Sequence, residues 1–247
     1  MVPPSDPREE LRRLIRQHGC VTSTPARPLR SRSGRILPWM FYGWGFSLTH
    51  RGATLAGRCL LDRLASFSST QIASHGYTSL PLVTACVVLG EGRYHGLAVR
   101  EQRKAHGAGR LVEGVGDRTR PVVVVDDCLS TGTSFFKAVR ALEEEGYTVE
   151  GLACLLEFPG QGGREWAESL GFRVESVFDP TREELFDYPE YVRPHLAIRP
   201  AWRRSRLPDG LHPAQVVRRT ALAWLEDGTV PRPPARFDVA RAAPGGV

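Results

Sequence analysis

Lysine is nearly absent from this chain: only Lys104 and Lys137 occur among 33 lysines and arginines. A lysine that falls inside a motif therefore stands out. Cysteine pairs are also missing. Cys20, Cys59, Cys86, Cys128 and Cys154 are scattered without short repeated spacing, which argues against a disulfide framework or a zinc ribbon and suits a reducing compartment. No apolar run approaches the ~20 residues that span a bilayer, and the N-terminus lacks the apolar centre of a secretory signal. A cytoplasmic protein with no membrane partner is expected. No segment repeats. The net charge of +6 is not spread over the chain, because Arg193 to Arg241 alone hold ten arginines against Asp209, Glu226, Asp227 and Asp238. That basic stretch reads as a solvated tail, and nucleic acid is not the expected partner.

What is present suffices for one full core: 247 residues, 41% of them hydrophobic. One domain over residues 1–200 is expected, followed by a basic extension over 201–247. The extension carries one helix, Pro213 to Leu225, and a disordered proline-rich end. Asp6, Pro7 and the stripe of Leu11, Leu14 and Ile15 predict a helix that Gly19 stops. Helices are also expected over Thr54 to Leu64, Leu82 to Leu89 and Arg164 to Leu170. Strands are expected over Thr70 to His75, Tyr94 to Val99, Glu150 to Phe158 and Phe172 to Val177. Strands alternating with helices specify an α/β fold, with a central, mostly parallel sheet flanked by helices. Arg100 to Gly116 reads as a long polar loop, a length that within a compact domain usually marks a functional lid.

The most informative stretch is Pro121 to Ser134, PVVVVDDCLSTGTS. Four consecutive valines predict a parallel strand buried on both faces. Asp126 and Asp127 are too costly to bury unpaired, so they belong where the strand leaves the sheet, on the edge where open α/β sheets bind ligands. Ser130, Thr131, Gly132, Thr133 and Ser134 then lead into a helix whose apolar side holds Phe135, Phe136, Val139 and Leu142. A small-residue loop at a helix start offers free N–H groups and the positive end of the helix dipole, which suits phosphate. Phosphate below and carboxylates above suit a sugar phosphate.

This stretch resembles the signature of the type I phosphoribosyltransferases. The resemblance implies that Asp126 and Asp127 hold the ribose hydroxyls of phosphoribosyl pyrophosphate (PRPP), and that Ser130, Thr131, Gly132, Thr133 and Ser134 cradle its 5′-phosphate. Other motifs narrow it to orotate phosphoribosyltransferase. Ser31 to Arg35, then Pro38, Trp39, Met40 and Phe41, resemble that family's N-terminal hood, with Arg32 in the place of a base-contacting lysine. Tyr77, Thr78, Ser79, Leu80 and Pro81 resemble its Y-K-G-I-P pyrophosphate turn, with Thr78 replacing the lysine. Arg100, Lys104, His106, Gly107, Glu113 and Gly114 resemble its catalytic loop, with Glu101 replacing a further lysine. The resemblance implies that Arg100, Lys104 and His106 neutralise the departing pyrophosphate, with Asp126 and Asp127 completing the catalytic set.

One departure concerns the acceptor. The family's D-R-x-x-G-G falls on Phe158, Pro159, Gly160, Gln161, Gly162 and Gly163, so Pro159 stands where an arginine clamps the orotate carboxylate. Arg164 is the nearest substitute cation. The expected acceptor site is Arg32, Trp39, Phe41 and Phe158. The resemblance further implies a homodimer, and Mg²⁺ bound chiefly through PRPP with no protein metal cage. The expected reaction is phosphoribosyl transfer from PRPP to a nitrogen of a nucleobase-like or other specialised acceptor. The alternatives are orotate itself, or a PRPP-sensing regulator that binds nucleic acid.

Overall fold

The computed structural model describes residues 6–30, 36–37, 39–102, 110–158 and 162–178. Helix α1 (Pro7–His18) starts as the sequence predicts, with the Asp6 carboxylate accepting the Arg8 amide at 3.0 Å and proline at its first position. Its C-terminal stop is the Gly19 amide, which donates to the Ile15 carbonyl. Next come four short strands: β1 (Cys20–Thr22), β2 (Leu29–Arg30), β3 (Ile36–Leu37) and β4 (Trp39–Phe41). They pair antiparallel as β1 with β4 and β2 with β3, so the arginine-and-aromatic region forms a small separate hood.

A single turn, α2 (Trp44–Ser47), leads to α3 (His50–Leu64). Helix α3 begins four residues before the predicted Thr54, because the Thr49 hydroxyl caps the Gly52 amide at 3.0 Å. Gly52, a poor helix former, is needed there: a Cβ would lie 2.0 Å from the Phe46 carbonyl oxygen. The remaining elements are β5 (Gln71–His75), α4 (Leu80–Leu89), β6 (His95–Val99), β7 (Val112–Glu113), β8 (Val122–Leu129), α5 (Thr133–Glu144), β9 (Val149–Glu157), α6 (Gly163–Ser169) and β10 (Arg173–Phe178). Strand β7 corrects the expectation of a featureless loop. It pairs antiparallel with β6, through Ala98 with Glu113 and Val99 with Val112.

The six-stranded sheet runs β10-β9-β8-β5-β6-β7, parallel except at β7. Helices α1, α3 and α4 pack on the face that includes Val123 and Val125, whereas α5 and α6 pack on the face of Val122 and Val124. All four valines have no exposure, so the run feeds both cores, as a β-branched stretch without polar alternation should. Among the described residues no helix is long and apolar enough to cross a membrane. The extension over 201–247, with its predicted helix, lies outside the described residues.

Candidate active site

The chain starts the large sheet at β5, moves outward through β6 and β7, then returns to lay β8 on the other side of β5 and moves outward again through β9 and β10. The reversal lies between β5 and β8, the place where open α/β sheets form a ligand crevice. The last β5–β8 pair is Ser74 with Val125. Beyond it β5 turns away at Gly76, whose φ of +68° favours glycine. Strand β8 continues with β9 alone, pairing Asp126 with Cys154, Cys128 with Leu156 and Leu129 with Glu157. The two acids were expected where the strand leaves the sheet, and they lie late in β8, at the first positions that lack a β5 neighbour.

Asp126 is only 5% exposed and Asp127 is half-buried. The Asp127 amide donates to Asp126 Oδ1 at 2.9 Å, while the buried Ser79 hydroxyl accepts the His75 amide at 3.1 Å and donates to the His75 carbonyl at 3.3 Å. Burial, and secondarily the charge of Asp127, push Asp126 well above the usual carboxylate range. Burial likewise pushes Asp127 up. Burial first raises both Cys128 and Cys154, followed by these acids for Cys128 and by Glu157, then Asp126, for Cys154, so they stay thiols. The pair is therefore short of positive charge and of donors, and a ligand bringing hydroxyls and a cation would relieve it.

Helix α5 starts immediately below. Its cap position is Gly132 in the left-handed conformation (φ +80°), and no side chain caps the first turn. Those N–H groups, with the positive end of a twelve-residue helix, constitute an anion seat. Thr131 and Thr133 are hydrogen-bonded through their hydroxyls at 3.0 Å, and Ser134 is exposed. The seat is braced from behind. The Gly163 amide donates to the Ser130 carbonyl at 3.0 Å, and a Cβ on Gly163 would fall 2.2 Å from that oxygen and 2.9 Å from the Gly132 nitrogen. The second glycine of the pair is thus a packing requirement of the loop that opens α5. The Phe158 amide donates to the Leu129 carbonyl at 2.8 Å, so residues 158 and 163 are both pinned to the end of β8 by main-chain bonds.

The hood approaches the acids from the other side. A Cβ on Gly43 would lie 2.9 Å from Asp127 Oδ2, so only glycine lets this backbone rest on the carboxylate. Phe41 and Phe158 are half-buried against the same core cluster as Cys128. Tyr77, 74% exposed, and the exposed Thr78 stand on the turn after β5. Arg100 follows β6, where its Nε donates to Glu113 at 2.9 Å and its amide to the Leu111 carbonyl. It is anchored to the β6–β7 edge through the very glutamate that shares its motif. Trp39 contributes backbone to β4, whereas Arg32, Lys104, His106 and Pro159 lie outside the described residues.

Arg164 is not a spare clamp. Its Nε and Nη2 donate to the two oxygens of Glu157 at 2.7 and 2.6 Å, and Nη1 donates to Glu168 and to the Val174 carbonyl, both at 2.9 Å. With Glu157 only 6% exposed, the pair fastens α6 to β9 and β10, and the fork has no donor face left for a carboxylate. Sequence reading missed this pair, together with Gly43 and the reason for Gly163. Among the described residues no group of three His, Cys, Asp or Glu could hold a metal ion.

A mostly parallel sheet carrying two acids at its switch point, above a small-residue loop that opens a helix, defines a type I phosphoribosyltransferase. No family model matches the chain. Orotate phosphoribosyltransferase of Mycobacterium tuberculosis is 31% identical over 169 residues, covering 68% of this chain and 89% of that protein. The Nostoc sp. enzyme of the same name is 34% identical over 150 residues, covering 59% and 72%. A crystal structure of the M. tuberculosis enzyme superposes with a TM-score of 0.62 at 28% identity, covering 71% of this chain and 98% of that one. The chain belongs to the orotate phosphoribosyltransferase family.

Proposed function

We propose that the protein transfers the 5-phosphoribosyl group of PRPP to a ring nitrogen or amine and releases pyrophosphate. The observation that carries this is the juxtaposition of an under-neutralised acid pair with an uncapped helix start at the switch point of the sheet. In this reading Asp126 and Asp127 accept the ribose hydroxyls, and Ser130 to Ser134 hold the 5′-phosphate. Tyr77 and Thr78 contact the pyrophosphate. The anomeric C–O bond breaks and its electron pair leaves with pyrophosphate. The acceptor nitrogen supplies the pair for the new C–N bond and then loses its proton. Arg100, Lys104 and His106 neutralise the growing negative charge. The carboxylate pair, with no third ligating group beside it among the described residues, fits Mg²⁺ that arrives on PRPP oxygens and waters; when bound, the ion would offset the charge of the leaving group. The working form is a cytoplasmic homodimer.

Two acceptors are in play. Kinship with the orotate enzymes favours orotate. An acceptor without a carboxylate is favoured by the occupied fork of Arg164 and by Phe158 and Pro159 in place of an acid and an arginine. We commit to the second. The test is calorimetry with PRPP and Mg²⁺, followed by mass spectrometry of the products from mixed nitrogenous acceptors. PRPP binding with turnover of an uncharged heterocycle supports it. Orotate turnover as the main reaction selects the first acceptor, and no PRPP binding withdraws the whole reading.

A further inference from the structure

Helices α1 and α3 and the end of β10 surround a cavity of ≈ 320 Å³ that shares no residue with the crevice; β10 lies two strands along the sheet from β8. Three arginines line it, Arg8 from α1 and Arg58 and Arg63 from α3. Arg8 is fixed in place: its Nη2 donates to the Val177 carbonyl at 3.1 Å, and its guanidinium lies 4.8 Å over the Phe178 ring. Arg63 is half-buried, and its Nε is shut off from solvent with no hydrogen-bond partner among the described residues. A covered donor on a charged group is costly to leave unmatched. Among the described residues neither Arg58 nor Arg63 enters an ion pair, although Asp62 stands one turn after Arg58 on the same helix. Asp6, the other acid of the lining, accepts the Arg8 amide at the start of α1. These charges converge on Cys59. Burial first, then Asp62 and Asp6, push its thiol up to about 11, while Arg8 and Arg63 pull it down.

We propose that this cavity is a second anion site, which takes the phosphate group of a small phosphate monoester. Three guanidiniums match the three terminal oxygens and the double charge of such a group, whereas a carboxylate offers two oxygens and one charge. Each guanidinium presents its donors as a planar fork, the geometry that phosphate oxygens accept. The volume stands at the lower end of ligand pockets, about 300–1,000 Å³, so the organic part of a small ester fits beside its phosphate. Leu61 and Val177 give that part apolar contact, and the exposed Asp62 can accept from a hydroxyl on it. Because no lining residue belongs to the crevice, the site fills whether or not PRPP is bound.

The experiment labels the full chain with phenylglyoxal, which reacts with accessible guanidinium groups, and reads each arginine by peptide mass spectrometry. Buffers of equal ionic strength contain chloride, acetate, inorganic phosphate or glycerol 3-phosphate; the last has no ribose for the acids of the crevice. Both phosphates should slow the labelling of Arg58 about tenfold at a concentration near ten times the dissociation constant, and acetate should not. Arg13, exposed on α1 and outside the cavity, should label at one rate in all four buffers. In Arg63→Gln the phosphate needed to protect Arg58 should rise about tenfold, as expected for loss of a charge-assisted bond. Equal labelling of Arg58 in phosphate and chloride overturns the site. Equal protection by acetate overturns its preference for phosphate, and unchanged protection in Arg63→Gln overturns the shared role of the two arginines.

Discussion

Gly163→Ala tests the link between fold and site most directly. The alanine Cβ would sit 2.2 Å from the Ser130 carbonyl oxygen and 2.9 Å from both the Gly132 nitrogen and Leu129 Cδ1. Two of these atoms are backbone, so no side chain can swing aside, and the phosphate loop must retreat by about 1 Å to reach ordinary contact. Overpacking of this kind destabilises by about 1–3 kcal/mol, a fall in Tm of roughly 3 to 10 °C for a chain of this size. A misplacement of about 1 Å in a phosphate-positioning loop lowers kcat/KM by roughly a hundredfold. Gly171→Ala supplies the control. Gly171 is also left-handed (φ +85°), but its Cβ would meet nothing within 4 Å. Its cost is the conformational one alone, about 1–2 kcal/mol. Both variants should melt earlier, and only Gly163→Ala should lose PRPP turnover. Equal kcat/KM in the two, measured at a temperature where both are folded, would refute the claim that the glycine pair holds the anion seat.

Asp126→Asn should raise Tm at neutral pH while abolishing PRPP binding. The folded protein raises the pKa of Asp126, so the stability this group contributes is full below its unfolded value of about 3.9 and is lost as pH rises through the folded value. The Tm advantage of the variant should therefore shrink on acidification toward pH ~4, and a lower Tm at pH 7 would contradict the assignment. Arg164→Ala should destabilise by about 3 kcal/mol, because Glu157 is left buried without its partner. Its acceptor preference should match that of the wild type in competition assays; a changed preference would place Arg164 in the acceptor site after all. Gly43→Ala brings a methyl within 2.9 Å of Asp127 Oδ2, so PRPP affinity should fall about tenfold with little change in Tm, as read by calorimetry and differential scanning fluorimetry.

Much of this site was legible in one stretch of chain. A run of valines has few stable fates other than a twice-buried strand, and two acids after it belong beside a ligand. Capping chemistry likewise marked both ends of α1. Contacts between distant segments were not legible. Gly43 on Asp127 and Gly163 on Ser130 are approaches whose only local sign is a glycine, and glycine has many uses. Ser79 looked like part of a turn, since nothing nearby in the chain indicates that its hydroxyl is buried against the His75 main chain. Arg164 drew notice as a cation near the acceptor, but its partner Glu157 lay unremarked within the expected strand Glu150 to Phe158. Strand β7 is two residues long and owes its existence to the edge of β6, below what periodicity detects.

The main-chain bonds at Phe158 and Gly163 tie the end of β9 and the start of α6 to the end of β8. An amide-to-carbonyl bond makes no demand on the side chain at 158, so that residue can change while the start of α5 next door keeps its shape. For anyone redesigning which nucleophile this scaffold accepts, that separation marks where to edit and where to stop.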